Sequence, residues 1–249
     1  MSEFRLENFS AIGFDFDDTL ASGGLHHQAR LKAYEQMAVE TNDDRFTSVD
    51  PRIHMEAHYH ATSTYGINAW VLAEAGLIDD AQDINNEYVQ RIANLKKSIY
   101  RQLISRGQDA IPGSPYFVKR VSSRLPGRLG IVTTASCWEV APFLTRYGLN
   151  PYFPKQRIIT AEDLNDPGNV KPHPEAYKIL LGRLAIKIPS ELLVIEDGTQ
   201  GIESAKQAGT TVIAIATSTN AEELSSLTGH QKADTIAESY DEISSLLGL

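Results

Sequence analysis

Four polar clusters along the sequence could carry chemistry, because three of them follow apolar runs typical of buried strands and the fourth, Lys171, stands just ahead of a predicted helix. Ligands of open α/β sheets bind at the carboxyl ends of the parallel strands, where such clusters meet. The clusters are, in chain order, Asp15 with Asp17 and Asp18, Thr133 with Thr134, Lys171, and Glu196 with Asp197. We therefore expect these side chains to face one crevice.

Carboxylates gathered in this way repel one another and need a positive partner. Two of them about 4 Å apart cost several kcal/mol at an effective dielectric constant of about 20. Oxygen ligands favour Mg²⁺, which keeps waters and holds substrate phosphates, and Lys171 adds a second positive charge. This set suits phosphoryl transfer, whose transition state spreads negative charge over oxygens. His54 and His58 could instead bind zinc, but no carboxylate or cysteine completes their set.

The elements around these clusters alternate between strand and helix beyond about residue 113. Strands are predicted at 11–16, 129–133, 157–160, 192–195 and 211–216, and helices at 140–147, 174–184 and 200–208. Strands that alternate with helices indicate a parallel sheet covered on both faces. The predicted fold class is therefore α/β, with a Rossmann-like parallel sheet as its core.

A helical segment separates the first strand from the others. Apolar residues recur every four positions from Leu25 to Met37, and every three or four positions from Ile84 to Leu103, which predicts two helices. We predict an α/β core of residues 1–21 and 113–249, interrupted by an all-helical insert of residues 22–112.

Composition argues against several classes of partner. The chain has 249 residues, a formal net charge of -9 and no long run of lysine or arginine, which disfavours nucleic acids and anionic membranes. Its single cysteine, Cys137, fits a reducing compartment. No stretch approaches the roughly 20 apolar residues that span a bilayer, and the first ten residues do not resemble a signal peptide. We expect a cytoplasmic protein with a small-molecule partner.

The four clusters resemble the four motifs of the haloacid dehalogenase-like superfamily, in the order of that family. The matches are 15–20 with DxDx(T/V)L, Thr133 with the second motif, Lys171 in KPHPEAY with the third, and 196–209 with EDSxxGxxAAxxAG. The resemblance covers residues 11–216, and the insert resembles the helical cap of the β-phosphoglucomutase-like subfamily. Two departures lie in the fourth motif, where Gly198 replaces a usual serine and Glu203 and Ser204 replace small apolar residues.

The resemblance implies a catalytic role for each matching residue. Asp15 would attack phosphorus and become an aspartyl phosphate. Asp17 would protonate the leaving oxygen and then take a proton from the hydrolytic water. Thr133 would bind a phosphoryl oxygen, or Thr134 would do so if the strand end shifts by one residue. Lys171 would neutralise both the phosphate and the carboxylate of Asp15.

The resemblance also implies a metal site and a substrate contact. Mg²⁺ would be coordinated by Asp15, the backbone carbonyl of Asp17 and Asp197, with Glu196 bound directly or through water. His27 stands where the subfamily often has a histidine beside the active site, so it is a candidate substrate contact as well as an ordinary surface histidine.

These observations predict a Mg²⁺-dependent phosphatase that hydrolyses a small phosphorylated metabolite, such as a sugar phosphate. A phosphomutase would use the same core, although Thr19 stands where mutases often carry valine. Carbon–halogen cleavage does not need Mg²⁺, and the intact pair of Glu196 and Asp197 disfavours it. A non-catalytic phosphometabolite-binding protein is the alternative from another class, and the presence of both Asp15 and Asp17 argues against it.

Overall fold

The computed structural model describes residues 4–50, 53–54, 57, 60–61, 63–105 and 107–249, and the chain divides into two compact units. The α/β unit comprises Met1–Ser22 and Gly107–Leu249, and the helical unit comprises Gly23–Arg106. Within the described ranges, no helix has both the length and the apolar character that crossing a bilayer requires.

A parallel sheet of six strands forms the centre of the α/β unit. The strands are β1 (Ala11–Phe14), β2 (Leu129–Val132), β3 (Ile158–Ile159), β4 (Leu192–Glu196), β5 (Thr211–Ile215) and β6 (Thr235–Ala237). Their order is β3-β2-β1-β4-β5-β6, and every neighbouring pair is parallel. The predicted α/β fold class is confirmed, and the order places β1 between β2 and β4, so that three of the predicted polar strand ends are neighbours.

Helices cover both faces of this sheet. They are α4 (Ser114–Arg124), α5 (Cys137–Tyr147), α6 (Glu175–Arg183), α7 (Thr199–Gln207), α8 (Ala221–Ser226) and α9 (Tyr240–Leu246), while α1 (Gly24–Thr41), α2 (Thr64–Glu74) and α3 (Glu87–Ser105) belong to the helical unit. Successive side chains of a strand point to opposite faces. Leu193 and Ile195 of β4 therefore join a core with α4, α5 and α9, and Val194 joins a second core with α6 and α7.

The helix α6 lies very close to the sheet. A Cβ atom on Gly130 would lie only 2.4 Å from Cδ1 of Leu180, so a larger residue in β2 would push the helix away. Leu180 is fully buried in this contact. Since Lys171 precedes α6 in the chain, this close packing fixes the segment that carries the lysine.

The helical unit has its own apolar core, formed by one face each of α1, α2 and α3. The predicted start of α3 at Ile84 is wrong, because the helix begins at Glu87. Side chains of Asp83 and Asn86 accept hydrogen bonds from backbone N–H groups two residues ahead, a turn that competes with helix. Ile84 is consequently 45% exposed rather than part of the apolar face.

Several elements were not predicted. The strand β6 and the helices α8 and α9 are short, and α4 begins inside a stretch rich in glycine and proline at residues 107–115. Gly113 precedes this helix with a φ of 86°, and Pro115 occupies its first turn, a position where proline is tolerated because its missing N–H would be unpaired anyway. Residues that break a helix in its interior can therefore mark its beginning.

Candidate active site

Three buried carboxylates lie together at the carboxyl ends of β1 and β4. Asp15 follows β1, and its backbone N–H donates to the carbonyl of Ile195 on the neighbouring strand. Glu196 is the last residue of β4 and Asp197 follows it. Each of the three acidic residues offers a carboxylate oxygen within 4.8 Å of the other two. The parallel pairing of the two strands thus creates the acidic cluster expected from the sequence.

Lys171 connects two of these carboxylates and is itself only 8% exposed. Its Nζ donates to Oδ1 of Asp15 at 2.5 Å, to Oε1 of Glu196 at 2.6 Å and to the carbonyl of Val132 at 2.9 Å. An ammonium group has three protons, and each has an acceptor here. Burial alone would lower the pKa of Lys171, but the carboxylates of Asp15 and Glu196 outweigh it and raise this pKa. The lysine therefore stays charged.

Besides its ion pair with Lys171, the carboxylate of Glu196 contacts Tyr177 and Gly201. The hydroxyl of Tyr177 on α6 donates to Oε1 of Glu196 at 2.5 Å. A Cβ atom on Gly201 would lie 2.1 Å from the Cδ of Glu196, so the carboxylate rests against the first turn of α7 where only glycine leaves room. The partial positive charge at a helix N-terminus favours an anion at this position. Burial nevertheless raises the pKa of Glu196, with Lys171 opposing the rise.

Asp197 is held by hydroxyl groups rather than by the lysine. Thr19 Oγ1 donates to Oδ1 of Asp197 at 3.2 Å, and Ser218 Oγ donates to Oδ2. Burial raises the pKa of Asp197 well above its usual range, and the charges of Asp15 and Glu196 raise it further. One ammonium cannot balance three carboxylates, so this set of hard oxygen donors fits a divalent cation such as Mg²⁺.

Asp17 lies beside this cluster and has a different environment. Its Oδ1 accepts from Nε2 of Gln108 at 3.3 Å, and the same nitrogen donates to the carbonyl of Ser22 at 2.9 Å. Burial of the carboxyl group, followed by the charges of Asp15 and other nearby carboxylates, raises the pKa of Asp17 to about 8. The carboxyl group is therefore largely protonated at neutral pH and can donate a proton.

The remaining predicted residues occupy three different settings. Thr133 is buried at the end of β2, and its Oγ1 accepts from the backbone N–H of Ala135 at 2.9 Å, which leaves the hydroxyl proton free to donate. Thr134 is exposed. His27 is exposed on α1 of the helical unit, and its contact with substrate stays a prediction. Of the two histidines considered for zinc, His54 is buried, and His58 lies outside the described residues.

Three residues that hold the predicted ones were missed. Ser218 follows β5, so the rule of polar residues after strands could have found it. Tyr177 lies in the apolar face of α6, where a tyrosine gives no sign of a polar role. Gln108 lies in an irregular segment without a motif. Among the departures in the fourth motif, Ser204 donates to the carbonyl of His173 at 2.7 Å and so ties α7 to the segment of Lys171.

Comparison with known proteins agrees with this geometry. The family model of the haloacid dehalogenase-like hydrolases matches residues 12–215. A phosphorylated carbohydrates phosphatase of Thermotoga maritima is 29% identical over 139 residues, which cover 56% of this chain and 58% of that protein. A phosphoglycolate phosphatase of Yersinia pestis is 29% identical over 145 residues, 58% of this chain and 59% of that protein. The matches thus span less than two thirds of these relatives.

A solved structure extends the likeness of fold to nearly the whole chain. A predicted phosphoglycolate phosphatase from Haemophilus somnus superimposes with a TM-score of 0.72. The alignment covers 96% of this chain and 98% of that one, at 17% sequence identity. At this identity the likeness concerns the fold, so the chemistry has to be argued from the side chains at the strand ends.

Proposed function

The chain belongs to the haloacid dehalogenase-like hydrolase family, and from this premise we propose that it is a Mg²⁺-dependent phosphatase of small phosphate monoesters. One observation carries the proposal. Lys171 Nζ lies 2.5 Å from Oδ1 of Asp15 and 2.6 Å from Oε1 of Glu196, inside a buried cluster of three carboxylates. A buried lysine and a cation can together bring a phosphate dianion next to a carboxylate that would otherwise repel it.

The first chemical step assigns the nucleophile and the acid. Oδ1 of Asp15 accepts a hydrogen bond from Nζ of Lys171, and no described residue donates a hydrogen bond to Oδ2 of Asp15. We propose that this oxygen attacks phosphorus and forms an aspartyl phosphate as the bond to the leaving oxygen breaks. Asp17, protonated because of its raised pKa, gives its proton to the leaving oxygen. The hydroxyl of Thr133 donates to a phosphoryl oxygen.

The second step reverses the role of Asp17. Its carboxylate takes a proton from a water molecule, the water oxygen bonds to phosphorus, and the bond between phosphorus and Asp15 breaks. Inorganic phosphate leaves, and both Asp15 and the protonated Asp17 are regenerated. Asp15, Asp197 and the backbone carbonyl of Asp17 would hold Mg²⁺, with Glu196 beside them. Bound there, the metal supplies positive charge that stabilises the oxygens of the transferring group.

The proposed substrate is a small phosphorylated carbohydrate or carboxylic acid. The names of the two sequence relatives, a phosphorylated carbohydrates phosphatase and a phosphoglycolate phosphatase, support this class. We also propose that the helical unit, Gly23–Arg106, acts as the cap that selects the substrate, and that His27 is one of its contacts.

The decisive experiment measures phosphate release from a panel of small phosphate monoesters with Mg²⁺ and with EDTA. We expect turnover only with the metal, and a loss of at least about 10³-fold in Asp15→Asn, because the amide cannot act as the nucleophile. Thermal unfolding of the variant should stay close to that of the wild type. Retained turnover in Asp15→Asn, or full activity in EDTA, would contradict the proposal, and isomerisation of a sugar phosphate without release of phosphate would identify a mutase.

A further inference from the structure

We propose that Tyr177 is a positioning residue of this active site, which holds Lys171 against Asp15 by way of Glu196. The inference rests on the proposed function, since it concerns the same phosphoryl transfer. It assigns a role to the last residue of the KPHPEAY stretch, on the buried face of α6, for which the sequence predicted no part in the chemistry. Tyr177 would touch neither substrate nor phosphorus, and its hydroxyl would act through the carboxylate that it holds.

The contacts form a continuous chain. Tyr177 is fully buried, and its hydroxyl donates to Oε1 of Glu196 at 2.5 Å. The same oxygen accepts from Nζ of Lys171 at 2.6 Å, and this nitrogen donates to Oδ1 of Asp15 at 2.5 Å. The ring of Tyr177 also lies below the ammonium group, with Nζ 5.5 Å from the ring centroid. Tyr177 therefore contacts Lys171 through its ring and Glu196 through its hydroxyl.

The three protons of Lys171 make this arrangement sensitive to small shifts. Each proton has one acceptor, namely Asp15, Glu196 or the carbonyl of Val132. Without the hydroxyl of Tyr177, the buried carboxylate of Glu196 loses a donor and depends more on the lysine for its stabilisation. The ammonium group would then shift towards Glu196 and away from Asp15, the group on which the phosphoryl transfer depends.

One proposed ligand of Mg²⁺, Asp197, has supports of its own, whereas Asp15 and Glu196 share theirs with Lys171. Asp197 is held by the hydroxyls of Thr19 and Ser218, and neither of them bonds to Tyr177. Removal of the tyrosine hydroxyl should therefore lower kcat much more than the affinity for Mg²⁺, because Asp197 keeps both of its hydrogen-bond donors. This division distinguishes positioning of the lysine from a general loosening of the site, which would weaken both.

The test compares Tyr177→Phe with Tyr240→Phe. Tyr240 is also buried, and its hydroxyl donates at 3.0 Å to the backbone carbonyl of Thr19, so the control removes a similar buried hydrogen bond. We expect Tyr177→Phe to lower kcat about tenfold or more, as loss of a hydrogen bond to a charged group does. KM and the Kd for Mg²⁺, measured by calorimetry on the protein without substrate, should change less than about twofold. Tyr240→Phe should lower the melting temperature comparably and leave kcat within about twofold.

A double-mutant cycle with Glu196→Gln tests the route of the effect. If Tyr177 acts through Glu196, Tyr177→Phe should have almost no further effect on kcat in the Glu196→Gln background. Additive losses would overturn the proposal, as would an unchanged kcat in Tyr177→Phe or a parallel loss of Mg²⁺ affinity. Should Glu196→Gln fail to fold, the comparison of kcat between Tyr177→Phe and Tyr240→Phe decides alone. Failure of the proposed function would show separately, as activity retained in Asp15→Asn.

Discussion

Buried polar side chains are treated differently in the two units of the chain. In the acidic cluster of the α/β unit, Glu196, Asp197 and the ammonium group of Lys171 all hydrogen-bond to named partners. In the helical unit, the hydroxyl of Tyr34 and both polar side-chain atoms of Asn68 are buried without a hydrogen-bond partner in the described part of the chain. A buried polar group left unpaired costs about 1–3 kcal/mol. The acidic cluster and its lysine thus use buried polarity to fix geometry, whereas Tyr34 and Asn68 bear it as a cost. Outside that cluster, the α/β unit also has unpaired buried atoms among its described residues, namely Oε1 of Gln108 and Nε of Arg157.

Each unit contains one tryptophan, which allows their stabilities to be measured separately. Trp70 lies on α2 of the helical unit and Trp138 on α5 of the α/β unit, and the sequence has no other tryptophan. Fluorescence of a Trp138→Phe variant therefore reports on the helical unit, and that of Trp70→Phe on the α/β unit. Both serve as backgrounds in which the contrast between the units can be tested.

The largest effect is expected where the α/β unit is most tightly packed. Gly201→Ala would place a Cβ 2.1 Å from the carboxyl carbon of Glu196. Overpacking costs about 1–3 kcal/mol, and here the displaced group is the partner of Lys171. We expect kcat to fall about 100-fold, with a lower melting temperature of the α/β unit in the Trp70→Phe background.

Gly182→Ala provides the matched control for this glycine. An added Cβ at Gly182 meets nothing within 4 Å, and the residue lies within α6. Alanine is favoured over glycine in a helix by about 0.5–1 kcal/mol, so the control should be slightly more stable and fully active. Equal activities of Gly201→Ala and Gly182→Ala would show that the carboxylate of Glu196 can move without harm.

A smaller effect is expected from pH in the helical unit. Burial, followed by the positive charges of Arg30 and His27, lowers the pKa of His54 to about 4, whereas an unfolded histidine titrates near 6.5. Between these two pH values His54 is protonated in the unfolded state but not in the folded state. The free energy of unfolding therefore falls as pH falls from about 6.5 to 4. We expect a loss on the order of 2 kcal/mol, measured by urea unfolding of Trp138→Phe.

His54→Gln, which cannot take up the proton, should flatten this dependence in the same background. Since other groups titrate over the same range, the quantity to compare is the slope of unfolding free energy against pH with and without the histidine. Equal slopes would mean that His54 becomes protonated in the folded unit at little cost. Burial of the polar His54 would then cost the helical unit little, and the two units would differ less in how they tolerate buried polar groups.

The same contrast explains how much the sequence could predict. Asp15 and Asp197 were identifiable because each directly follows a strand, and parallel pairing brings those strand ends together. Lys171 lies in the segment before α6, and it was identifiable from its resemblance to the third motif. Tyr177 could not be identified in this way, since its ring satisfies the apolar pattern of α6 and only the fold reveals the acceptor of its hydroxyl.

In the helical unit the apolar spacing predicted helices, but it did not predict the polar interactions at their ends or the polar residues buried within them. Apolar spacing located α1, and it placed the start of α3 three residues too early, because the Asx turns before Glu87 depend on local side-chain geometry. Nothing in the spacing indicates that Asn68 would be buried within α2. The spacing of apolar residues identifies the buried face of a helix, but it does not show which polar residues are buried on that face as well.

The smallest expected change in unfolding free energy compares the two units most directly, because it concerns removal of one buried polar group from each. Asn68→Leu replaces a fully buried amide, whose nitrogen and oxygen both lack a partner among the described residues, with an apolar side chain of similar size. It should stabilise the helical unit by about 1 kcal/mol, since an unpaired buried amide is costly and leucine has the higher helix propensity. Urea unfolding of Trp138→Phe with and without the substitution measures this gain.

The opposite sign is expected for a paired polar group of the α/β unit. Thr210 is buried, and its Oγ1 donates to the carbonyl of Ala205 at 2.8 Å. Thr210→Val keeps the shape and removes the donor, so it should destabilise the unit by about 1 kcal/mol, measured in Trp70→Phe. If Asn68→Leu instead destabilised its unit by a similar amount, the amide would have to be satisfied in solution, and buried polarity would then stabilise both units alike.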